Sequence, residues 1–207
     1  MLKIGVLVSG GGTNFQAIID AIDAGILKDT KIVTLVSSNP NAYALQRAKK
    51  HHIDAICIRK KDYETDELYQ TALVEHMQAK GVELVVMAGF MVVIGSLFIQ
   101  AFENRIMNIH PSLIPSFCGN GYYGLKVHEA ALEKGVKVTG ATVHFVTEQT
   151  DAGPIIMQKA VSVLEGDTPE QLQKRVMEEA EWKILPASIQ LFAHNRLKVI
   201  GNHVKIL

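Results

Sequence analysis

Short apolar runs alternate along the chain with longer segments in which apolar residues recur at every third or fourth position. A short apolar run bounded by glycine, proline or polar residues is typical of a buried strand. The segments predicted as strands are residues 3–9, 31–37, 55–58, 83–88, 105–110, 138–146 and 155–163. Such alternation predicts an α/β fold, with a mostly parallel, twisted sheet and helices on both faces. The last two strands flank residues 151–154, and we expect them to run antiparallel or to diverge there.

Helical periodicity is clearest in two of the intervening segments. Their apolar stripes consist of Phe15, Ile18, Ile19 and Ile22 in the first and of Leu68, Ala72, Leu73 and Met77 in the second. Further along, Thr168 is a predicted N-cap with Pro169 at the first helical position. Pro186 is expected to kink or divide the long helix that starts there. No repeat or linker interrupts the pattern, so residues 1–207 are predicted to form a single domain.

Composition narrows the class of protein without identifying a function. The chain has 207 residues, with 21 Lys plus Arg and 21 Asp plus Glu. This balance gives no electrostatic argument for a nucleic-acid or membrane partner. Cys57 and Cys118 are the only cysteines, and no spacing of His, Cys, Asp or Glu suggests a metal site. The N-terminal sequence is neither a signal peptide nor a membrane span, so we expect a cytoplasmic protein, monomeric or homodimeric.

A glycine-rich turn at residues 9–14 separates the first predicted strand from the first helix. A dinucleotide fingerprint requires glycine where Phe15 stands, and a P-loop requires lysine where Thr13 stands. A smaller phosphate ester is therefore the better prediction, bound by backbone N–H groups at the helix N-terminus. The alternative is a tight turn in which Thr13 or Asn14 merely caps the helix.

The run Asn-Ile-His-Pro-Ser-Leu-Ile-Pro at residues 108–115 lies where a predicted strand ends. Asn108 and His110 are two residues apart and therefore point to the same face, at an edge where open α/β sheets form ligand crevices. An amide donor beside a histidine suits a reaction in which negative charge develops on a carbonyl oxygen. Asp151 is a candidate carboxylate partner. The residues alone leave open a loop histidine satisfied by a backbone carbonyl and an ordinary Asp-Ala-Gly-Pro turn.

Four motifs, taken in chain order, resemble the 10-formyltetrahydrofolate-dependent formyltransferases. They are Val-Met-Ala-Gly-Phe-Met at 86–91, the 108–115 run, Thr-Val-His-Phe-Val at 142–146 and Asp-Ala-Gly-Pro-Ile-Ile at 151–156. The resemblance implies a Rossmann-like fold, 10-formyltetrahydrofolate as co-substrate and a small-molecule acceptor. It also implies that Asn108 and protonated His110 donate hydrogen bonds to the formyl oxygen. His110 would serve as general acid toward the folate nitrogen, and Asp151 would orient His110 and raise its pKa.

Within that family the sequence is most similar to the members that formylate glycinamide ribonucleotide in purine synthesis. We expect the chain to lack the additional domains of the members that formylate initiator tRNA or hydrolyse formyltetrahydrofolate, because 207 residues leave no room for them. The resemblance places Gly12, Thr13 and Asn14 at the ribose phosphate and Glu181 at the glycinamide substrate. The alternative for Glu181 is a solvated helix charge.

The resemblance also implies a folate pocket, with apolar residues around the pterin and backbone groups at its edge. Its predicted residues are Met91, Val92, Val93, Ile94, Asn108, Thr147, Glu148, Gln149, Thr150 and Asp151. Core packing is the alternative for most of the apolar ones, and for Val93 it is favoured. The best-known bacterial pattern has arginines at Val92 and near Asp66. Neither arginine is present here, and we hypothesise that a cation at residues 59–61 (Arg59, Lys60 or Lys61) binds the glutamate tail of folate instead.

Residues 117–124 form a longer, glycine-containing stretch than in that bacterial pattern, and we interpret it as a mobile loop or lid. Catalysis by Cys118 has little support. For His128 and His144 a buried, satisfied histidine is the favoured interpretation, with a supporting role for His144 as the alternative. Two other functions stay open: a nucleotide-binding protein without catalysis, and a formyltetrahydrofolate hydrolase or another amine formyltransferase with the same three residues.

Overall fold

The computed structural model describes all 207 residues, which cluster into two compact units, 1–107 and 108–207. The elements of the first unit are β1 Leu2–Val8, α1 Thr13–Asp23, β2 Thr30–Ser37, α2 Tyr43–Lys50, β3 Ala55–Cys57, α3 Asp66–Ala79, β4 Leu84–Met87 and α4 Ser96–Ala101. A 3₁₀ turn, Lys60–Asp62, lies between β3 and α3. Strand β5, Ile106–His110, begins in this unit and ends in the next.

The strands of the first unit lie in the order β3-β2-β1-β4. β1 pairs in parallel with both β2 and β4, and β2 pairs in parallel with β3. The chain therefore changes direction of strand addition at β1, so the glycine turn after β1 lies at a topological switch point. Gly5 of β1 has no room for a side chain, because a Cβ there would lie 2.6 Å from Sδ of Met77 on α3. This close approach seats α3 on the strand.

The elements of the second unit are the end of β5, α5 Leu125–Lys134, β6 Val138–Phe145, β7 Ile155–Ser162, α6 Pro169–Val176, α7 Trp182–Ala193, β8 Leu197–Ile200 and β9 His203–Ile206. Its strands lie in the order β5-β6-β7-β9-β8. β6 and β7 are antiparallel, as are β8 and β9, whereas β7 and β9 are joined in parallel. Of the two arrangements expected around residues 151–154, the antiparallel pairing is the one found.

Every predicted strand is present, with ends that differ by one residue at most positions. The N-cap prediction is confirmed, because Thr168 accepts from the N–H of Gln171 while the Gln171 side chain accepts from the N–H of Thr168. Pro186 was predicted to kink or divide the long helix; the division is wrong, and the kink stays a prediction. Pro186 lies inside α7, and the division is a π-helical turn, Met177–Glu181, which precedes it. The single-domain assignment stays a prediction.

Candidate active site

The glycine turn joins β1 to α1 in the first unit. Gly12 is the N-cap of α1, with φ of 70° and no side-chain hydrogen bond to the helix end. Gly12, rather than Thr13 or Asn14, therefore occupies the N-cap position. A Cβ added to Gly10 or Gly11 would meet nothing within 4 Å, so space outside the turn is open on that side. Backbone N–H groups at a helix N-terminus attract anions.

The predicted pterin segment follows β4 in the same unit and splits into two kinds of residue. Phe90 and Ile94 are buried and pack in the core, whereas Met91 and Val93 are 52% and 64% exposed. The preference for core packing at Val93 is therefore wrong. The N–H of Met91 donates to Oγ of Ser9 at 2.8 Å, which ties this segment to the start of the glycine turn. Exposed apolar side chains held by a backbone anchor are suited to contact a flat ring.

Two of the three cations proposed for the folate tail already have carboxylate partners. Arg59 makes a two-pronged contact with Asp62, at 2.6 and 2.7 Å. Lys60 pairs with Asp66 at 2.5 Å. Lys61 makes no ion pair within the chain, and it is exposed. The structure thus distinguishes Lys61 from its neighbours as the cation whose charge is uncompensated.

The polar cluster at the end of β5 lies within the second unit. Asn108 Nδ2 lies 3.1 Å from Nε2 of His144 and 3.5 Å from Oδ1 of Asp151. Nδ1 of His144 lies 2.8 Å from the carbonyl oxygen of Phe145, which only accepts, so Nδ1 carries the hydrogen. Neutral His144 is then an acceptor at Nε2, and Asn108 donates to it. His144 is buried and satisfied, as favoured from sequence, and it also orients Asn108.

His110 is buried, and both of its ring nitrogens face polar groups. Nε2 lies 2.8 Å from the carbonyl oxygen of Phe117, and Nδ1 lies 3.6 Å from Oδ2 of Asp151. Because a carbonyl only accepts, Nε2 carries the hydrogen of the neutral ring. Burial lowers the pKa of His110 below 6.5, and the opposing effects of Asp151 and the Phe117 carbonyl do not reverse this direction. The expectation of a raised pKa is wrong in its net direction, because desolvation outweighs the nearby carboxylate.

Asp151 stands in the turn between β6 and β7, with a positive φ of 53°. Its Oδ2 accepts from the N–H of Gly119 at 2.8 Å. Burial acts to raise the pKa of Asp151, but the imidazoles of His144 and His110 and the Gly119 N–H together hold this pKa below its usual value. Asp151 is therefore an anion at neutral pH, and it links the two histidines.

The other predicted folate residues of this unit follow β6. Thr147, Glu148, Gln149 and Thr150 are all exposed. Gln149 shapes the turn, since its carbonyl oxygen accepts from the N–H of Ala152 and, at 3.3 Å, from Oγ1 of Thr147. Gly153 is required because a Cβ there would collide with the carbonyl of Phe145. The segment thus presents an ordered edge beside Asp151.

Glu181 ends the π-helical turn Met177–Glu181 and is only 5% exposed. The interpretation as a solvated helix charge is therefore wrong. A carboxylate is rarely buried without a purpose, and π-helical turns are frequent at functional sites.

The loop at residues 117–124 contacts two members of the cluster, through the Phe117 carbonyl to His110 and the Gly119 N–H to Asp151. Cys118 between them has its pKa raised by burial and by Asp151, which disfavours the reactive thiolate. Sequence patterns of side chains did not predict these contacts, because both are made by backbone atoms. The only available signal was the position of the loop after the His110 motif.

His128 on α5 is fully buried, and neither of its ring nitrogens has a hydrogen-bond partner in the protein. The interpretation of His128 as a satisfied histidine is therefore wrong. Burial and the nearby His110 lower its pKa to about 4. No group of His, Cys, Asp and Glu side chains is arranged to hold a metal ion, and no helix could cross a membrane.

Fold and site together define an α/β protein with an Asn–His–Asp cluster at a strand end, an arrangement suited to acyl-type transfer. The formyl transferase family model matches residues 2–189, so the chain belongs to this family. Phosphoribosylglycinamide formyltransferase of Haemophilus influenzae is 38% identical over 202 residues, which cover 98% of this chain and 92% of that protein.

Two further comparisons agree with the family assignment. The chloroplastic phosphoribosylglycinamide formyltransferase of Arabidopsis thaliana is 39% identical over 197 residues, 95% of this chain and 67% of that protein. The crystal structure of glycinamide ribonucleotide transformylase 1 from Symbiobacterium toebii superposes with a TM-score of 0.94 at 46% identity. That match covers 100% of this chain and 94% of the other, and the predicted α/β fold is confirmed.

Proposed function

We propose that this protein is a phosphoribosylglycinamide formyltransferase. It transfers the formyl group of 10-formyltetrahydrofolate to the amine of glycinamide ribonucleotide in purine synthesis. The observation that carries the proposal is the buried cluster of Asn108, His110 and Asp151, in a chain whose full-length relatives bear that enzyme name. Both substrates are small molecules. We expect a cytoplasmic enzyme that needs no metal, nucleic acid or membrane partner.

Asn108 stabilises the negative charge that develops on the formyl oxygen. Its amide gives one hydrogen to Nε2 of His144 at 3.1 Å, while the other has only the long contact with Asp151 at 3.5 Å. A developing oxyanion is a stronger acceptor than a carboxylate at that distance, so it takes the second hydrogen. Because His144 fixes the amide beforehand, little reorganisation accompanies the reaction.

His110 handles the proton that the attacking amine loses. In the free protein its ring is neutral, with the hydrogen on Nε2 and the lone pair of Nδ1 facing Asp151. Uptake of a proton at Nδ1 places the new hydrogen beside the Asp151 carboxylate, which stabilises the imidazolium. The charged ring then donates from Nε2 toward the oxyanion or the leaving folate nitrogen. Donation from Nε2 requires the Phe117 carbonyl to move aside.

Each remaining predicted residue has a separate task. Backbone N–H groups of Gly12, Thr13 and Asn14 bind the phosphate of the ribonucleotide, supported by their position at the N-terminus of α1. Glu181, a buried carboxylate, binds the glycinamide amine. For folate, Met91, Val92 and Val93 contact the pterin ring, while the buried Ile94 packs in the core. The segment at residues 147–151 hydrogen-bonds the edge of that ring through backbone groups.

The proposal is tested by folate absorbance after mixing the protein with 10-formyltetrahydrofolate, with and without glycinamide ribonucleotide. Deformylation that requires the ribonucleotide is the expected result. Equal deformylation in its absence would identify a hydrolase, the second candidate, which needs the same three residues. Tight nucleotide binding with no turnover in either tube would identify a binding protein instead. Either of these results would overturn the proposal.

A further inference from the structure

The first turn of α2 lies directly against the glycine turn. The N–H of Ala44 donates to the carbonyl oxygen of Gly10 at 3.2 Å, and Nε of Arg47 donates to the carbonyl oxygen of Gly11 at 2.8 Å. A Cβ on Gly12 would lie 2.7 Å from Cβ of Ala44, so Gly12 can approach α2 only because it has no side chain. Two consecutive carbonyl groups are thus directed toward α2.

The direction of these carbonyl groups fixes the direction of the next N–H groups. In a trans peptide the C=O and the N–H point in opposite directions. The Gly10 carbonyl shares its peptide with the N–H of Gly11, and the Gly11 carbonyl shares its peptide with the N–H of Gly12. Both N–H groups therefore point away from α2. A Cβ added to Gly10 or Gly11 would meet no atom within 4 Å, so there is also open space beside the turn.

The Arg47 guanidinium is itself held in place by three groups. In addition to the bond from Nε to Gly11, Nη1 of Arg47 donates to Oε1 of Gln16 at 3.0 Å. The guanidinium carbon, Cζ, lies 5.1 Å from the centre of the Tyr43 ring. Arg47 makes no ion pair with a carboxylate. Its positive charge therefore remains uncompensated beside the turn, and a bound phosphate would experience it.

We propose that Arg47 is a positioning residue for phosphate binding. It holds the Gly11 peptide so that the Gly12 N–H points at the phosphate, and it adds positive charge behind the turn without touching the ligand. This inference deepens the proposed function and rests on its assignment of the glycine turn to the ribonucleotide phosphate. Loss of Arg47 should weaken recognition of the phosphate and leave the transfer chemistry alone.

The test compares Arg47→Met, Arg47→Lys and the control Lys50→Met, which removes a charge at the exposed end of the same helix. Steady-state kinetics are measured with glycinamide ribonucleotide and with the phosphate-free riboside. For Arg47→Met we expect the KM of the ribonucleotide to rise about tenfold, the size of one lost charge-assisted hydrogen bond. The kcat, the folate KM and the riboside kcat/KM should stay within about twofold of wild type.

Arg47→Lys separates charge from position. Lysine keeps the charge and the packing on Tyr43, but a single ammonium cannot reproduce the planar contact with both Gly11 and Gln16. Most of the loss should therefore persist in this variant. Full recovery in Arg47→Lys would overturn the positioning role. So would an unchanged ribonucleotide KM in Arg47→Met, or an equal loss with the riboside.

Binding of inorganic phosphate, measured by ³¹P NMR titration of the wild type and the same variants, separates this inference from the proposed function. Weaker phosphate binding in Arg47→Met, with Lys50→Met unchanged, supports the inference even if the wild type formylates no ribonucleotide. Equal phosphate binding in all variants refutes it even if the wild type is an active formyltransferase.

Discussion

Nδ2 of Asn108 lies 3.1 Å from Nε2 of His144, and in the neutral ring with its hydrogen on Nδ1, Nε2 accepts from Asn108. The Phe145 carbonyl holds the hydrogen of His144 on Nδ1, and the buried ring cannot turn away. The backbone carbonyl of Phe145 on β6 thus fixes the His144 ring, and the His144 ring in turn orients the Asn108 amide. The His144 side chain therefore controls the direction of the Asn108 amide, which we propose as the oxyanion donor.

His144→Phe should lower kcat about tenfold to a hundredfold, because the unanchored amide of Asn108 no longer presents its hydrogen to the formyl oxygen. The KM of each substrate should change less than about threefold. Steady-state kinetics at saturating folate measure both. Asn108→Ala is the reference, with a fall in kcat of about a hundredfold to a thousandfold. A His144→Phe enzyme with wild-type kcat would mean that Asn108 needs no anchor.

Asp151 should control the protonation of His110. The pKa of His110 lies below 6.5 because burial dominates, while the Asp151 carboxylate favours the imidazolium and opposes that effect. Asp151→Asn removes the carboxylate, so the pKa of His110 should fall further. Titration of the His110 ring protons by NMR measures this directly. A pKa that rises in Asp151→Asn would contradict the assigned electrostatics.

How far the sequence predicts this molecule depends on which atoms make each contact. Apolar runs predicted the strands because the strand residues are buried. The motif at residues 108–115 indicated Asn108 and His110 as candidate catalytic residues. The C-terminal hairpin, β8 and β9, was missed, although alternating residues around Gly201 and Asn202 are a recognisable hairpin signal. The backbone contacts of Phe117 and Gly119 leave no side-chain pattern. The net pKa of His110 depends on burial, which only the folded chain defines.

His128 should make the protein less stable in acid. Its folded-state pKa of about 4 lies below the 6.5 of an ordinary histidine, so the folded form disfavours the charged ring. As the pH falls below 6.5, the unfolded chain binds a proton that the folded chain does not. Between pH 7.5 and 5.5 this histidine should lower the free energy of unfolding by about 1.4 kcal/mol. The contribution is fully present above pH 6.5 and is lost toward pH 4.

Urea unfolding at the two pH values tests this in His128→Leu, in which the apolar side chain suits the buried site. Between pH 7.5 and 5.5 the free energy of unfolding should fall by about 1.4 kcal/mol less in the variant than in the wild type. His203→Asn, which replaces an exposed histidine on β9, is the matched control and should keep that difference. An identical pH dependence in His128→Leu and wild type would show that folding does not lower the pKa of His128.

Lys61 should contribute to affinity for the glutamate tail of folate, whereas Arg59 should not, although both lie in the same short segment. Arg59 is held by Asp62, and its charge is compensated there; Lys61 makes no ion pair and can turn toward an anionic ligand. Because the pair would be exposed, Lys61→Ala should raise the KM for a polyglutamylated folate only about threefold to fivefold. The increase should vanish at high salt, since such pairs are screened.

Kinetics with mono- and polyglutamylated 10-formyltetrahydrofolate measure the effect, and Arg59→Ala is the control. Equal increases with both substitutions would mean that Arg59 also meets the tail, and no increase with the longer tail would place the tail elsewhere.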